Sequence, residues 1–357
     1  MKKENEMSYQ KHPGEHIRLI QNEQVKLPKH DRLKMKTVSF LRAGAFLLVL
    51  FCLLNIKTFA WSAPGHMTVA YLAYKSLTPN ARARVDKLVA MNPKINLWRS
   101  QLPAGISDAD SRMMLFMIEA TWADQIKSDG EHFQDGTNNG NTPPKDETAA
   151  QNIGFSDKAM HKYWHFIDRP FSVDGTALKN PDTPNALTQI KVFRSVLASN
   201  ENDALKAYDL AWLVHVIGDV HQPLHCAARF TKSTPNGDDG GNGVKFCSPS
   251  CDSLHGFWDG IFGTASKPQQ AIPRAIKVGN SLNPASQTMV ENLEESDWID
   301  ESFALAKEIV YKNPPIKTGK GPFNVTDKYR NRAIDKANQQ VALAGARLAR
   351  ILNSELK

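Results

Sequence analysis

Apolar residues recur at helical spacing along most of the chain after residue 60, and alternating strand patterns are scarce. We expect Pro79 to stop the first helix and Asn80 to cap the second. The fold class is predicted to be all-α, with one mainly helical domain and long loops. The predicted helices cover residues 67–77, 81–91, 113–127, 204–220, 254–262 and 333–352.

The stretch 204–220 is the most continuously apolar of these helices and spans more than four helical turns. Pro223 follows it and cannot continue a helix. We therefore predict a buried central helix. Two segments rich in Gly, Asn, Pro and charge, 130–152 and 231–243, are predicted to be loops, the first on the surface and the second flexible.

The first sixty residues differ in kind from the rest of the chain. Residues 43–54 are almost continuously apolar and follow basic residues, but the run is too short for the ~20 residues of a membrane-spanning helix. We predict that 35–60 is a signal peptide, cleaved after Ala60, and that 1–34 is a disordered leader or an upstream extension. The alternative is that the apolar segment stays as an N-terminal anchor.

The net charge of +7 suggests an anionic partner, but its distribution changes that interpretation. Residues 1–60 carry 11 Lys or Arg and 5 Asp or Glu, which leaves 33 and 32 in residues 61–357. A nearly neutral mature domain does not support binding of duplex DNA through a basic stripe. Positive charge at a phosphate site would have to come from metal ions.

Four cysteines occur, of which Cys52 lies in the apolar run. Export permits a disulfide among Cys226, Cys247 and Cys251, but an odd number leaves one thiol free or gives all three another role, and spacing does not reveal the pairing. A zinc site made by Cys247, Cys251 and His255 is disfavoured in an exported protein.

Eight of the eleven histidines follow residue 60. His215 and Asp219 have helical i, i+4 spacing within the apolar helix, so they project from one face. Alone they could be a hydrogen-bonded core pair. Further histidines, at 221 and 225, stand where Pro223 turns the chain, which favours a metal site.

His255 and Asp259 repeat the i, i+4 spacing. His165 and Asp124 are weaker candidates, each consistent alone with a core or capping role. Mixed imidazole and carboxylate ligands suit zinc, which is redox-inert and acts as a Lewis acid. His161 and His221 are interpreted as structural residues, and His132 as a solvated one.

Six motifs in this order resemble the exported zinc-dependent nucleases and 3'-nucleotidases of the nuclease S-one/P-one family, over essentially all of 61–357. The fold implied is phospholipase C/nuclease-like, and 61–357 is then a zinc-dependent nuclease domain. The motifs are WSAPGH at 61–66, TWAD at 121–124, HFID at 165–168, HVIGDVHQPLH at 215–225, GGN at 240–242 and LHGFWD at 254–259.

The resemblance implies three zinc ions. The implied ligand sets are Asp124, His165, His215 and Asp219 for one ion, His225, His255 and Asp259 for a second, and Trp61, His66 and Asp219 for the third. In the family the N-terminal tryptophan binds through its α-amino group and carbonyl oxygen. Trp61 must therefore be exposed by cleavage, so that export and activation would be one event.

The expected activity is hydrolysis of single-stranded DNA, RNA and 3'-nucleotides to 5'-phosphate products by a metal-activated hydroxide. Asp124, Asp219 and Lys127 are the predicted catalytic residues. Lys127 stands where the family often has arginine, so it keeps the charge but loses bidentate phosphate contact; a solvated surface lysine is the alternative.

Phe166 and Asp168 match positions where a base stacks on the ring and hydrogen-bonds to the carboxylate. Stacking contributes ~1 to 3 kcal/mol per base and requires an unstacked base, which favours single strands. Ordinary core packing is the alternative for Phe166.

Two other functions are weighed against this one. Zinc phospholipase C enzymes share the fold, but they typically have Glu at the position of Asp259. Their interval between the N-terminal tryptophan and the next histidine ligand is also longer than that between Trp61 and His66. A structural zinc module would need fewer ligands and usually sulfur. The remaining expectations are a secreted or periplasmic monomer that acts on single-stranded nucleic acid or nucleotides, with no stable membrane association after cleavage.

Overall fold

The computed structural model describes residues 61–248, 250–265, 267–312, 316 and 318–356. The predicted leader and signal peptide lie outside the described residues. Helices dominate the described part of the chain, which confirms the all-α prediction. They are α1 (Ala63–Lys75), α2 (Pro79–Val89), α3 (Ile95–Ser100), α4 (Asp108–Glu119), α5 (Trp122–Gln125), α6 (Ala186–Ala198), α7 (Asp203–Val220), α8 (Leu254–Asp259), α9 (Pro268–Ser281), α10 (Gln287–Glu291), α11 (Glu295–Leu305) and α12 (Asp327–Glu355).

Helix α7 is the predicted central helix. The Asn202 side chain caps its first turn by accepting a hydrogen bond from the Leu205 amide at 3.0 Å. Every residue from Lys206 to Val220 is buried, because α1, α2, α5, α6 and α12 all pack around it. Side chains on any face of α7 are therefore held by neighbouring helices.

Short strands form two small sheets. Strand β1 (Pro170–Ser172) runs parallel to β2 (Ala228–Phe230), with Pro170 opposite Ala228. Strand β3 (Lys245–Cys247) lies between antiparallel β4 (Cys251–Ser253) and parallel β5 (Phe323–Asn324). These strands are too short to produce an alternation of apolar and polar residues that could be recognised in the sequence.

The open question of cysteine pairing is answered by the β3–β4 hairpin. Cys247 and Cys251 face each other in its register and form a disulfide, and Cys226 is a buried free thiol. A zinc site built on Cys247 and Cys251 is thereby excluded. The hairpin leads directly into α8.

Two predicted helix boundaries were wrong. Helix α2 is capped by Thr78, whose hydroxyl accepts from the Ala81 amide at 3.3 Å, and not by Asn80. Pro79 fits the first helical turn because its missing N–H would have no partner there. Helix α1 likewise begins earlier than predicted, at Ala63 with Pro64 in its first turn.

The helix predicted over 113–127 is divided into three pieces. Helix α4 starts at Asp108 with Ser107 as its cap, α5 follows after a break at 120–121, and a 3₁₀ turn covers Ile126–Ser128. The break leaves the Ala120 carbonyl free to accept a side-chain hydrogen bond. That carbonyl contributes to the site described below.

The two predicted loops are irregular, as expected, but both are anchored. In the first, the Ala149 carbonyl accepts from Trp164 Nε1 at 2.9 Å. In the second, Asp238 is buried, 3.2 Å from Arg229 Nε and 3.0 Å from the Tyr311 hydroxyl. Across the described ranges, no helix is both long enough and apolar enough to cross a bilayer.

Candidate metal centre

Asp219, in the last turn of α7, stands at the centre of the histidine cluster. Its Oδ2 atom lies 2.9 Å from His165 Nδ1 and 3.3 Å from His215 Nε2, and its Oδ1 atom lies 3.3 Å from His66 Nε2. The carboxylate is fully buried. One carboxylate thus contacts histidines from α1, from α7 and from the 3₁₀ turn Lys162–His165.

Asp124 and His66 extend this cluster around His215. Asp124 reaches the cluster from α5, with Oδ1 3.7 Å from His215 Nε2. The His66 and His215 rings stack with centroids 3.9 Å apart. Ligand atoms lie within 4.8 Å of one another both in the set His66, Asp124 and His215 and in the set His165, His215 and Asp219.

A further group is formed by His225, His255 and Asp259, whose ligand atoms also lie within 4.8 Å of one another. Helix α8 presents His255 and Asp259 one turn apart, with His255 Nε2 3.3 Å from Asp259 Oδ2. His225 comes from the 3₁₀ turn Pro223–Cys226 that follows α7. Its ring centroid is 4.9 Å from that of His255.

All eight His and Asp residues expected as ligands are therefore buried in three candidate groups. The grouping differs in one respect from the implied sets, because His66 clusters with Asp124 and His215 as well as approaching Asp219.

Trp61 is fully buried, and the next amide, that of Ser62, donates to the Asp259 carbonyl at 2.9 Å. The main chain at Trp61 is thus tied to α8.

Main-chain carbonyls orient three of the rings. His215 Nδ1 donates to the Ala120 carbonyl at 2.7 Å, and His225 Nδ1 donates to the His165 carbonyl at 2.8 Å. His255 Nδ1 donates to the Gly240 carbonyl at 2.8 Å. Donation from Nδ1 leaves the lone pair on Nε2, which is the arrangement that metal-binding histidines use.

Several ligand atoms are buried without a hydrogen-bond partner among the described residues. An unpaired buried polar atom costs about 1 to 3 kcal/mol, so such a cluster requires an explanation. Bound cations would satisfy these atoms, and nitrogen and oxygen donors in this number fit zinc-type ions. The atoms are His66 Nδ1 and Nε2, His165 Nε2, His225 Nε2, Asp219 Oδ1 and Asp259 Oδ2.

The protonation states also suit a cation. Burial lowers the pKa of His66 to about 4 and the pKa values of His165 and His255 to about 3, so these imidazoles are neutral at pH 7. Burial alone would raise the pKa of Asp219, but His215 and other neighbouring histidines hold it well below its usual range. His66, His165 and His255 therefore offer neutral nitrogens near an ionised carboxylate, whereas His215 is different: burial alone would lower its pKa, but Asp219 and Asp124 raise it.

Lys127 is not a solvated surface lysine. Its Nζ atom lies 2.8 Å from Asp124 Oδ1, and its side chain is only 16% exposed. The ammonium group is therefore held at the edge of the candidate ligand cluster, where it can contact an anion.

Phe166 and Asp168 lie directly after His165 and line one pocket together with Asn185 and Asp239. Both side chains are partly exposed, so Phe166 is not an ordinary core residue. Burial, with the nearby charge of Asp239, raises the pKa of Asp168 to about 7. Near neutral pH this carboxyl group can therefore donate or accept a hydrogen bond.

Sequence reasoning missed Gln222, although it lies inside the motif 215–225. Its Nε2 atom donates to Asp259 Oδ1 at 2.7 Å, and its Oε1 atom accepts from the Leu224 amide at 2.6 Å. Gln222 thus fixes the orientation of Asp259. Its place between His221 and His225 was the available signal.

The interpretation of His132 as solvated was wrong. Its side chain is 4% exposed, lies 3.0 Å from Asp129 Oδ2 and packs edge-on against Trp122. His161 agrees with its structural interpretation, because it is buried with Nε2 2.9 Å from Asp157 Oδ2. Ring packing of this kind leaves no local sequence signal.

Gly218 permits the close approach of His66 to α7. A Cβ atom on Gly218 would lie 2.7 Å from His66 Nδ1, closer than packed atoms come. We expect Gly218→Ala to displace His66 and lower the metal content measured by atomic absorption, with activity falling in parallel. Gly345→Ala is a matched control, since its Cβ would lie 2.7 Å from Leu72 Cβ. Equal metal loss in both variants would contradict a specific role of Gly218.

Comparison with known proteins identifies the family of this chain. The sequence model of the family described as S1/P1 Nuclease matches residues 61–357. Nuclease P1 from Penicillium citrinum is 25% identical over 332 residues, covering 82% of this chain and 97% of that protein. Nuclease S1 from Aspergillus oryzae is 23% identical over 251 residues, covering 68% of each chain. The chain therefore belongs to the S1/P1 nuclease family and is a hydrolase that acts on phosphodiester bonds.

Proposed function

We propose that the chain is an exported, zinc-dependent enzyme that hydrolyses single-stranded DNA, RNA and 3'-nucleotides to products with a 5'-phosphate. The observation that carries the proposal is the set of buried ligand atoms without hydrogen-bond partners in three adjoining His/Asp groups. A structural zinc site would be closed by four ligands, usually including sulfur. The mixed nitrogen and oxygen donors instead suit catalytic zinc.

Most of the proposed residues are metal ligands, and Lys127 is proposed to act on the phosphate directly. Three zinc ions would supply Lewis-acid charge that polarises the phosphate and makes water more acidic. Asp219 is the shared carboxylate, and its lowered pKa keeps it ionised at neutral pH. Lys127, held by Asp124, places an ammonium group where negative charge develops on the phosphate. The proposed ligands are Trp61, His66, Asp124, His165, His215, Asp219, His225, His255 and Asp259.

The proposed preference for single strands comes from the pocket beside the cluster. Phe166 offers a partly exposed ring for a base, and Asp168 offers a carboxyl group for its polar edge. A base within a duplex is already stacked and paired, so it cannot use this pocket. Stacking of one unpaired base contributes ~1 to 3 kcal/mol.

Removal of 35–60 as a signal peptide is part of the proposal, because the α-amino group of Trp61 can bind metal only after cleavage. The hydrogen bond from Ser62 to the Asp259 carbonyl supports this, since it brings the new N-terminus to the ligand group on α8. The proposed product is a secreted or periplasmic monomer without stable membrane association.

The test uses protein that begins at Trp61. Single-stranded DNA, RNA, a 3'-nucleotide, duplex DNA and phosphatidylcholine are incubated separately with the enzyme, before and after treatment with a chelator. We expect cleavage of the first three with 5'-phosphate ends, much slower cleavage of duplex DNA, and loss of activity on chelation that zinc restores. Cleavage of phosphatidylcholine alone would favour a phospholipase C, and no hydrolysis by zinc-loaded protein would favour a structural metal site.

A further inference from the structure

Lys162 is a cation that the proposed mechanism does not use. It begins the 3₁₀ turn that ends at His165, and residues three apart in a 3₁₀ helix lie on the same side. The side chain of Lys162 therefore projects on the same side as a candidate metal ligand. The turn places both residues at the edge of the candidate metal centre.

The Lys162 side chain is held in place. Its Nζ atom donates to Gln134 Oε1 at 2.8 Å and to the Asn139 carbonyl at 3.1 Å. Gly140, with φ of 83°, lies against its stem, where a Cβ atom would come within 2.9 Å of Lys162 Cδ. A lysine fixed in this way loses little further freedom when it binds an anion.

The charge of Lys162 is not neutralised within the described chain. Its two acceptors are uncharged, and no carboxylate among the described residues lies within ion-pair distance of Nζ. Burial and the nearby Lys127 ammonium group lower the pKa of Lys162, whereas Asp135 acts in the opposite direction. Two neighbouring cations repel each other, and an anion bound beside them would relieve that repulsion.

The surroundings of Lys162 connect it to the base pocket. The next residue, Tyr163, lines that pocket together with Phe166, and so does Asn141, which follows the turn Asn138–Gly140 beside the lysine stem. Lys162 thus directly precedes a residue of the base pocket and stands three residues before the candidate ligand His165. A nucleic-acid strand that placed one base in the pocket would bring its backbone past this lysine.

We propose that Lys162 binds a backbone phosphate next to the one that is cleaved, so that it favours oligonucleotides over 3'-nucleotides. The proposal rests on the proposed function for the identity of the substrate. A 3'-nucleotide has a single phosphate, and that phosphate would be bound at the metal centre. Only a substrate with a second phosphate can use Lys162.

The test compares Lys162→Met, Lys162→Arg and the control Lys336→Met, on a single-stranded tetranucleotide and on a 3'-nucleotide. Lys336, on α12, also donates to a glutamine, with Nζ 2.9 Å from Gln339 Oε1. For Lys162→Met we expect KM for the tetranucleotide to rise roughly threefold to fivefold, with kcat within about twofold. KM for the 3'-nucleotide should not change, and Lys162→Arg should restore most of the affinity.

Salt dependence gives a second readout. Each phosphate contact to a single strand contributes a slope of about 0.7 in log affinity against log salt concentration, so Lys162→Met should reduce the slope by about that amount. Equal slopes and equal KM values for Lys162→Met and Lys336→Met would overturn the proposal. If wild-type protein proves inactive, fluorescence anisotropy with single-stranded DNA still compares the variants, so the two proposals fail separately.

Discussion

Asp219→Asn should lower kcat/KM on single-stranded DNA by about 10³-fold or more, which corresponds to about 4 kcal/mol of transition-state stabilisation. The carboxylate contacts His66, His165 and His215 and is the anion that two of the proposed zinc ions would share. An amide keeps the shape but removes the negative charge that neighbouring cations require. The metal content of the purified variant, measured by atomic absorption, should fall together with activity.

Asp209→Asn is the matched control for this substitution. Asp209 lies on the same helix and is also fully buried, but Asn152 Nδ2 donates to it at 3.0 Å and burial raises its pKa to about 7. Asparagine there replaces a carboxyl group that is about half protonated near pH 7 and that is not part of the cluster. We expect nearly unchanged metal content and kcat/KM. Retention of both by Asp219→Asn as well would refute the central role given to Asp219.

Protein that retains Ala60 before Trp61 should lose one metal ion and about 10²-fold in kcat. The extra peptide bond converts the α-amino group of Trp61 into an amide, which is a poor metal ligand. The structure supports an effect at this position, because the Ser62 amide is bonded to Asp259 in the metal group on α8. Metal stoichiometry and kcat should be measured on both forms.

A second N-terminal variant separates the roles of ring and main chain. The Trp61 ring is buried, with its centroid 5.3 Å from that of Phe262. In protein that begins with residue 61, Trp61→Phe should lower the melting temperature while leaving metal stoichiometry unchanged. If the extended form instead binds as much metal as the form that begins at Trp61, the α-amino group is not a ligand.

Local patterns predicted the parts of the site that lie on one helix. The spacing of His215 and Asp219 and the apolar length of α7 are properties of a single segment, so the sequence alone was enough to predict that they share a face. The same holds for His255 and Asp259 on α8. The order of the motifs around them supplied the remaining ligands through family resemblance, not through any local signal.

Contacts between distant segments could not be predicted. The Ala120 carbonyl accepts from His215 only because the chain breaks between α4 and α5, whereas apolar spacing alone suggested one continuous helix. Gly218 matters because His66 packs against it from another helix. Arg229, Asp238 and Tyr311 form a buried cluster from segments far apart in the sequence. Each of these depends on tertiary packing.

Hydrogen bonds to main-chain carbonyls orient the rings of His215, His225 and His255. Folding of the chain can therefore arrange these ligands before any metal ion binds. These rings are turned toward the cluster by the polypeptide itself, so an arriving cation has little reorganisation to drive. Activity should then track the concentration of free metal in the surrounding compartment, and recovery after chelation should be as fast as ion exchange. Catalysis would be governed by the supply of cations and not by refolding.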